Sequence, residues 1–204
     1  KNMNIKTFEM GYIGTNCYVV SNEQGNCAII DCDGNTTALY NYIDQNNLKP
    51  THILLTHGHF DHIGAVEEVQ EKYGCLVCAC EKEIPLLSDP NLNASTMSHR
   101  PLSLTPDITV KEGESVAVGN LVFKVMETPG HTEGSICFVI ENTIFSGDTL
   151  FLGSCGRVDF PTGDAKTMMD SLKRLKNLEG DYVVYPGHGP STTLEYERKT
   201  NPFM

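Results

Sequence analysis

Polar residues placed at the ends of apolar runs constrain this chain more than any other feature. Ile53-Leu54-Leu55 opens into "THGHFDH" (Thr56 to His62), and Leu121 to Met126 leads to "TPGHTEG" and His131. Thr143 to Phe145 leads to "SGDT" and Asp148, and Tyr182 to Tyr185 leads to "PGHGP" and His188. Glycine next to such residues permits tight turns and close backbone approach. An α/β sheet gathers residues from distant parts of a sequence at one edge in this way. Five histidines (His57, His59, His62, His131, His188) and two aspartates (Asp61, Asp148) can therefore meet at one place.

Further short apolar runs occur at Asn16 to Val20, Cys27 to Ile30 and Ser135 to Ile140, with turn residues between them, and all read as sheet strands. Helical spacing appears among them rather than after them. Ile63, Val66, Val69 and Tyr73 repeat every three to four residues, as do Met168, Leu172 and Leu175. Asp164 is placed to cap the second of these helices, and Gly180 marks a reversal after it. The alternation predicts an α/β chain. The segment 84–107, with four prolines, reads as an irregular excursion or short helix. At 204 residues the chain can bury a substantial core, and we expect one domain spanning residues 1–204.

In extended backbone, alternate side chains project to the same side, so His57 and His59 can grip one ion, while Asp61 and His62 fall where a helix begins. Neutral imidazole and carboxylate suit a borderline divalent metal. Three histidines and an aspartate exceed what one catalytic ion usually takes, so the motif hints at two. A buried histidine met alone is usually a hydrogen-bonded core residue, and His52 and His99 read as structural or solvated. Packing gives no reason for repeated strand-end histidines between glycines. A structural metal site would be closed, four-coordinate and usually cysteine-rich, unlike this set.

Eight cysteines raise the question of disulfides, but a chain of this size with a full core does not need them, and free thiols are expected. Cys75, Cys78 and Cys80 lack a fourth ligand at metal-site spacing and read as small buried hydrophobes. Cys155 has no evident base beside it, which argues against a nucleophile. No phosphate-binding loop, dinucleotide glycine pattern or GxSxG elbow is present. The net charge of −11, with no basic cluster, disfavours nucleic acid and anionic membranes as partners. No apolar stretch reaches the roughly 18 residues of a spanning helix, and the N-terminal segment lacks a signal-peptide core, so a cytoplasmic location is expected.

Taken together and in order, "THGHFDH", "TPGHTEG", "SGDT" and "PGHGP" resemble the metallo-β-lactamase superfamily. The likeness extends from "AIIDCDG" to "YERKTNPF". It implies a four-layer αββα sandwich with a metal site at one sheet edge. "GSCGRVDFPTGD" and "YERKTNPF" look most like glyoxalase II-like hydrolases, in the short form without the extra helical domain, because little chain follows His188. Carried over by position, the resemblance assigns His57, His59 and His131 to one metal and Asp61, His62 and His188 to another. It makes Asp148 the bridge, with Asp31 supporting the site from behind the ligands. The implied cofactors are two divalent ions, zinc first, with iron or manganese as alternatives.

Asp61 and Asp148 are the carboxylates on which catalysis would depend. A hydroxide shared by the two ions would attack a small-molecule thioester carbonyl, as in hydroxyacylglutathione hydrolases. Thiolate, with a conjugate pKa near about 8.5, leaves without a strong acid. The loop around Arg157 also resembles that of iron-dependent persulfide dioxygenases, although "PGHGP" favours the hydrolase branch. Arg157 itself either holds a substrate carboxylate or anchors its loop. Two positions depart from the resemblance: Cys32-Asp33 stands where Pro-Gly is common, and Glu133 where proline is common.

Overall fold

The computed structural model describes residues 3–204; Lys1 and Asn2 lie outside the described residues. The first half of the chain builds one six-stranded sheet in sequence order: β1 (Asn4–Met10), β2 (Thr15–Ser21), β3 (Asn26–Ile30), β4 (Lys49–Leu54), β5 (Leu76–Cys80) and β6 (Ile108–Val110). The β1–β2 and β2–β3 pairs are antiparallel, whereas β3 to β6 run parallel. Parallel neighbours need crossovers. Helix α1 (Thr37–Gln45) supplies one, and the pair α2 (Phe60–Ile63) and α3 (Val66–Tyr73) supplies the next. The stretch 84–107 holds only α4 (Ile84–Ser88) and one short 3-10 turn, in keeping with the irregular excursion that its prolines suggest.

The second half builds another sheet, from β7 (Ser115–Val118), β8 (Leu121–Glu127), β9 (Ile136–Ile140) and β10 (Thr143–Gly147). A small hairpin, β11 (Leu150–Phe151) and β12 (Ser154–Cys155), then leads to α5 (Ala165–Lys176), β13 (Val183–Pro186), β14 (Thr192–Thr193) and α6 (Leu194–Thr200). The sheet order is β14-β13-β10-β9-β8-β7. Because β9 is antiparallel to both β8 and β10, and β13 is parallel to β10, strands β8, β10 and β13 point the same way.

Side-chain alternation sorts the core into three layers. From β2, Tyr18 and Val20 face the second sheet and pack with Phe123, Phe138 and Phe145, while Cys17 and Val19 face α1 and α3. On the far side, Cys137, Ile144 and Val184 pack against Met168, Leu172 and Leu175 of α5. The result is helix, sheet, sheet, helix, which is the four-layer sandwich. Strands buried on both faces explain why the sequence shows continuous apolar runs rather than polar alternation. All eight cysteines are free, and Cys75, Cys78 and Cys80 are buried within these layers. No helix among the described residues is long and apolar enough to cross a membrane.

Local expectations hold with small adjustments, Ser135 and Tyr182 falling just outside their strands. The spacing from Ile63 to Tyr73 suggests one helix, but the chain forms two, broken at Gly64 and Ala65, with Ile63, Val66 and Val69 still in one core cluster. The apolar run His52 to Leu55 leaves the strand at Leu54, one residue early. Asp164 caps α5 as its position suggests, its carboxylate accepting from the Thr167 amide at 2.8 Å. Gly180 turns the chain at φ +82°.

Candidate metal centre

Every residue of the expected cluster sits just past the C-terminal end of a strand. His57 follows β4, and His59, Asp61 and His62 start the crossover helix α2; His131 follows β8, Asp148 follows β10, and His188 follows β13. The structure brings all seven together in three overlapping groups: His57, His59 and His131; His57, His62 and Asp148; and Asp61, His62 and His188. In each, the candidate ligand atoms lie within 4.8 Å of one another. Asp148 lies at the centre. Its Oδ2 is 3.4 Å from His131 Nε2 and 3.3 Å from His188 Nε2, and its Oδ1 is 3.3 Å from His62 Nε2. Asp61 Oδ2 lies 3.2 Å from His188 Nε2 and 3.4 Å from His62 Nε2.

A set of hydrogen bonds aims these groups. Asp31, held at φ +54°, turns its carboxylate under the cluster. One oxygen accepts from the Thr56 amide at 2.9 Å, and the other meets the Thr56 hydroxyl and His62 Nδ1, each at 2.7 Å. With its proton committed to Asp31, Thr56 Oγ1 can accept from His57 Nδ1 at 3.2 Å. One carboxylate thus sets the ring orientation of two histidines, leaving both Nε2 atoms facing inward. His131 Nδ1 donates to the Arg157 carbonyl at 2.7 Å, and Thr15 donates to Asp61 Oδ2 at 2.8 Å. At Gly187 a Cβ would approach Asp148 Oδ1 to 2.2 Å, so the turn before His188 must be glycine.

Charge in the cluster is set by burial opposed by neighbours. Burial, reinforced by nearby imidazoles, pushes His57 well below the usual histidine range and His59 down to about 3; burial also lowers His131. These rings are neutral, which is the ligand form. Burial works against ionised Asp61 and Asp148, yet His62 and the other imidazoles beside them hold Asp61 down to about 2 and Asp148 well below its ordinary value. Burial likewise opposes charge on His62, but Asp148, Asp61 and Asp31 hold its pKa well above the usual one. Bonds to Asp148 and Asp61 hold His188 at about 9 against the same opposition.

The donor set therefore fits divalent cations. Three carboxylates draw positive charge into a buried place, while His57 Nε2, His59 Nε2, His62 Nε2 and Asp148 Oδ1 are buried with no hydrogen-bond partner among the described residues. Buried polar atoms left unpaired in this way are costly unless something binds them. No cysteine joins any of the candidate groups.

The other candidates that the sequence suggests fall elsewhere, or act through the backbone. His52 pairs with the adjacent Thr51 hydroxyl, and His99 lies against Tyr12. Cys155 is half-buried in the α5 layer, and its burial pushes the thiol pKa up, away from a reactive thiolate. The Arg157 guanidinium makes two bonds to Asp159, at 2.7 and 2.8 Å, and stacks 4.0 Å over Phe160. These contacts lie within its own loop, and the Arg157 carbonyl is what touches His131.

A buried supporting residue also escapes sequence reasoning. Glu83, fully buried at the start of the irregular segment, accepts from the Gly58 amide at 2.8 Å, the Thr132 hydroxyl at 2.8 Å and the Gly134 amide at 3.0 Å. It clips the loop of His57 and His59 to the loop of His131. The only hint in the sequence is a glutamate next to an apolar helix, which by itself is unremarkable.

Fold and site together define the class: the chain belongs to the metallo-beta-lactamase superfamily, whose profile it matches over residues 10–188. It is 32% identical to the hydroxyacylglutathione hydrolase GloC of Haemophilus influenzae, over 99% of this chain and 98% of that protein. Among solved structures it resembles the BLEG-1 B3 metallo-beta-lactamase, with 37% identity, 98% and 99% of the two chains covered and a TM-score of 0.92. It is equally similar in sequence, at 37%, to TTHA1623 in a di-iron-bound form, covering 98% and 100% of the chains with a TM-score of 0.87.

Proposed function

We propose that this chain is a binuclear metallohydrolase that cleaves thioesters of small thiols. The observation that carries the reading is Asp148, whose two carboxylate oxygens reach imidazoles of both histidine groups. In this assignment His57, His59 and His131 hold one ion, Asp61, His62 and His188 hold the other, and Asp148 is shared. Zinc is the first candidate and iron or manganese the alternatives, the di-iron form of TTHA1623 supporting iron as a real option. When bound, such ions lower the pKa of water toward about 7 and polarise a carbonyl.

The chain's own residues do the rest. Asp31, acting directly on His62 and through Thr56 on His57, keeps each Nε2 lone pair aimed at the centre. Thr15 and the Arg157 carbonyl do the same for Asp61 and His131. No protonated side chain need wait for the leaving group, because a thiolate of conjugate pKa near about 8.5 departs unaided. The relationship to GloC supports thioesters over lactams as the substrate class.

Two measurements test the reading. Elemental analysis of saturated protein is expected to approach two transition-metal ions per chain, and Asp148→Asn, which keeps shape but removes charge, to lower both metal content and kcat, the latter by about 100-fold or more. S-lactoylglutathione and simpler thioesters are expected to release thiol without oxygen uptake. Oxygen consumption with glutathione persulfide, together with no thioester cleavage in any metal form, would instead make the protein a dioxygenase.

A further inference from the structure

A cavity of about 900 Å³ opens beside α2, and none of the seven clustered residues lines it. Its walls come from the β1–β2 hairpin, the segment after β3, the start of α1, the two ends of α2 and the loop 98–102. The volume is that of a small-molecule site. Phe60 and Leu102 give it apolar surface, and the hairpin holds Tyr12 and Ile13 out over it, 95% and 53% exposed. Large apolar side chains held in water at the rim of a cavity are features that a ligand would cover. Tyr12 meets the His99 ring across the mouth at 5.9 Å between centroids.

Among the polar residues that line this cavity is Asp33, which departs from the Pro-Gly pattern of the resemblance. Its carboxylate is wedged between two glycines: a Cβ at Gly11 would come within 2.2 Å of Oδ2, and one at Gly64 within 2.0 Å of Oδ1. The slot exists only because neither wall has a side chain. No cation pairs with Asp33 among the described residues. Arg100, also in the lining, lies 3.4 Å from Glu67, and Glu9 adds a second carboxylate. Burial, helped by the nearby Asp61 charge, pushes the Asp33 pKa up against the Gly34 amide and the His62 charge, which pull it down.

We propose that this cavity is a binding site for an amphipathic compound bearing a primary ammonium group, with Asp33 as the partner of the ammonium and Tyr12, Phe60 and Leu102 covering the apolar part. Charge complementarity selects the class, since an ammonium would supply the missing charge-assisted hydrogen bond.

The probe is 2-phenylethylamine, with 2-phenylethanol as the uncharged match, titrated into the metal-loaded protein and followed by amide chemical shifts and calorimetry. The amine is expected to bind saturably, to shift residues around Asp33, Asn41 and Gly64, and to bind about tenfold more tightly than the alcohol. Asp33→Asn is expected to abolish that difference, as is Asp33→Gly, the residue that the resemblance leads one to expect there; metal content in both stays at the wild-type level. Equal binding of amine and alcohol, shifts that map elsewhere, absence of saturable amine binding, or an undiminished preference in Asp33→Asn would each overturn the proposal.

Discussion

Asp31 shows how much one buried side chain can control. It lies outside every candidate metal group, yet its two oxygens hold the Thr56 amide, the Thr56 hydroxyl and His62 Nδ1 at 2.7 to 2.9 Å. Asparagine in its place would present an amide that cannot accept at both ends, so the orientation of His57 and His62 would loosen together. Asp31→Asn is expected to weaken metal retention and lower turnover by about 10- to 100-fold, measured by chelator competition and by kcat. Cys155→Ser is expected to keep most activity, and wild-type metal retention in Asp31→Asn would sink the orienting role. The seven clustered residues are legible in the sequence because each combines an apolar run, a turn and a chelating side chain. Thr56 and Thr15 are not, since a hydroxyl that reaches a carboxylate 25 or 46 residues away leaves no local pattern.

Elements whose ends must stay fixed show where local sequence stops being informative. Helix α5 is readable because periodicity and cap coincide: Asp164 accepts from both the amide and the hydroxyl of Thr167, and those two bonds hold its carboxyl below the usual value. A carboxylate with a lowered folded-state pKa stabilises the fold above its unfolded value, near about pH 4, and loses that contribution as pH falls through the lowered value. Asp164→Ala is therefore expected to lower Tm at pH 7, and the gap to wild type is expected to shrink as pH falls and the Asp164 carboxyl becomes protonated in the folded as well as the unfolded state; a gap of constant size across that range would remove the cap from the explanation. Strands β1, β6 and β14 and the clip at Glu83 are not legible, because short or exposed edge segments and a buried glutamate acquire meaning only from partners far along the chain. Glu83→Ala strands two amides and a hydroxyl in the interior, at a cost of about 3 kcal/mol or more. Denaturant unfolding would measure it, and a loss below about 1 kcal/mol would mean that the loops hold themselves.

At the scale of the whole molecule, the cluster lies on the seam between the two sheets. His57, His59, Asp61 and His62 belong to the first, and His131, Asp148 and His188 to the second. Backbone bonds cross at the same edge: Ile136 donates to Thr56 at 2.9 Å, and Asn16 donates to Gly187 at 2.8 Å. Tyr18, from the first sheet, reaches the Pro186 carbonyl beside His188 at 2.5 Å. Much of the remaining interface is apolar packing, which has no preference for one sliding position within the inter-sheet layer over another, so polar ties such as these, with the Glu83 clip and the Asn22–Asn120 bond at 2.8 Å, fix the alignment. The α/β class is visible from alternating patterns, whereas the pairing of two separate sheets is legible only through the family resemblance, because no local signal says which buried strand faces which. Ions bound across the seam would stabilise only the aligned, folded state. Free metal at about 100 times its Kd contributes about 2.7 kcal/mol per site by linkage. Two sites would then move Tm by about 10 °C or more in a chain of this size, at about 2 to 4 °C per kcal/mol. Dialysis against chelator is expected to lower Tm by that order and to leave a Tm that climbs again with the logarithm of added zinc. A verified metal-free protein that melts with the loaded one would place the stability of the seam in its packing and hydrogen bonds alone.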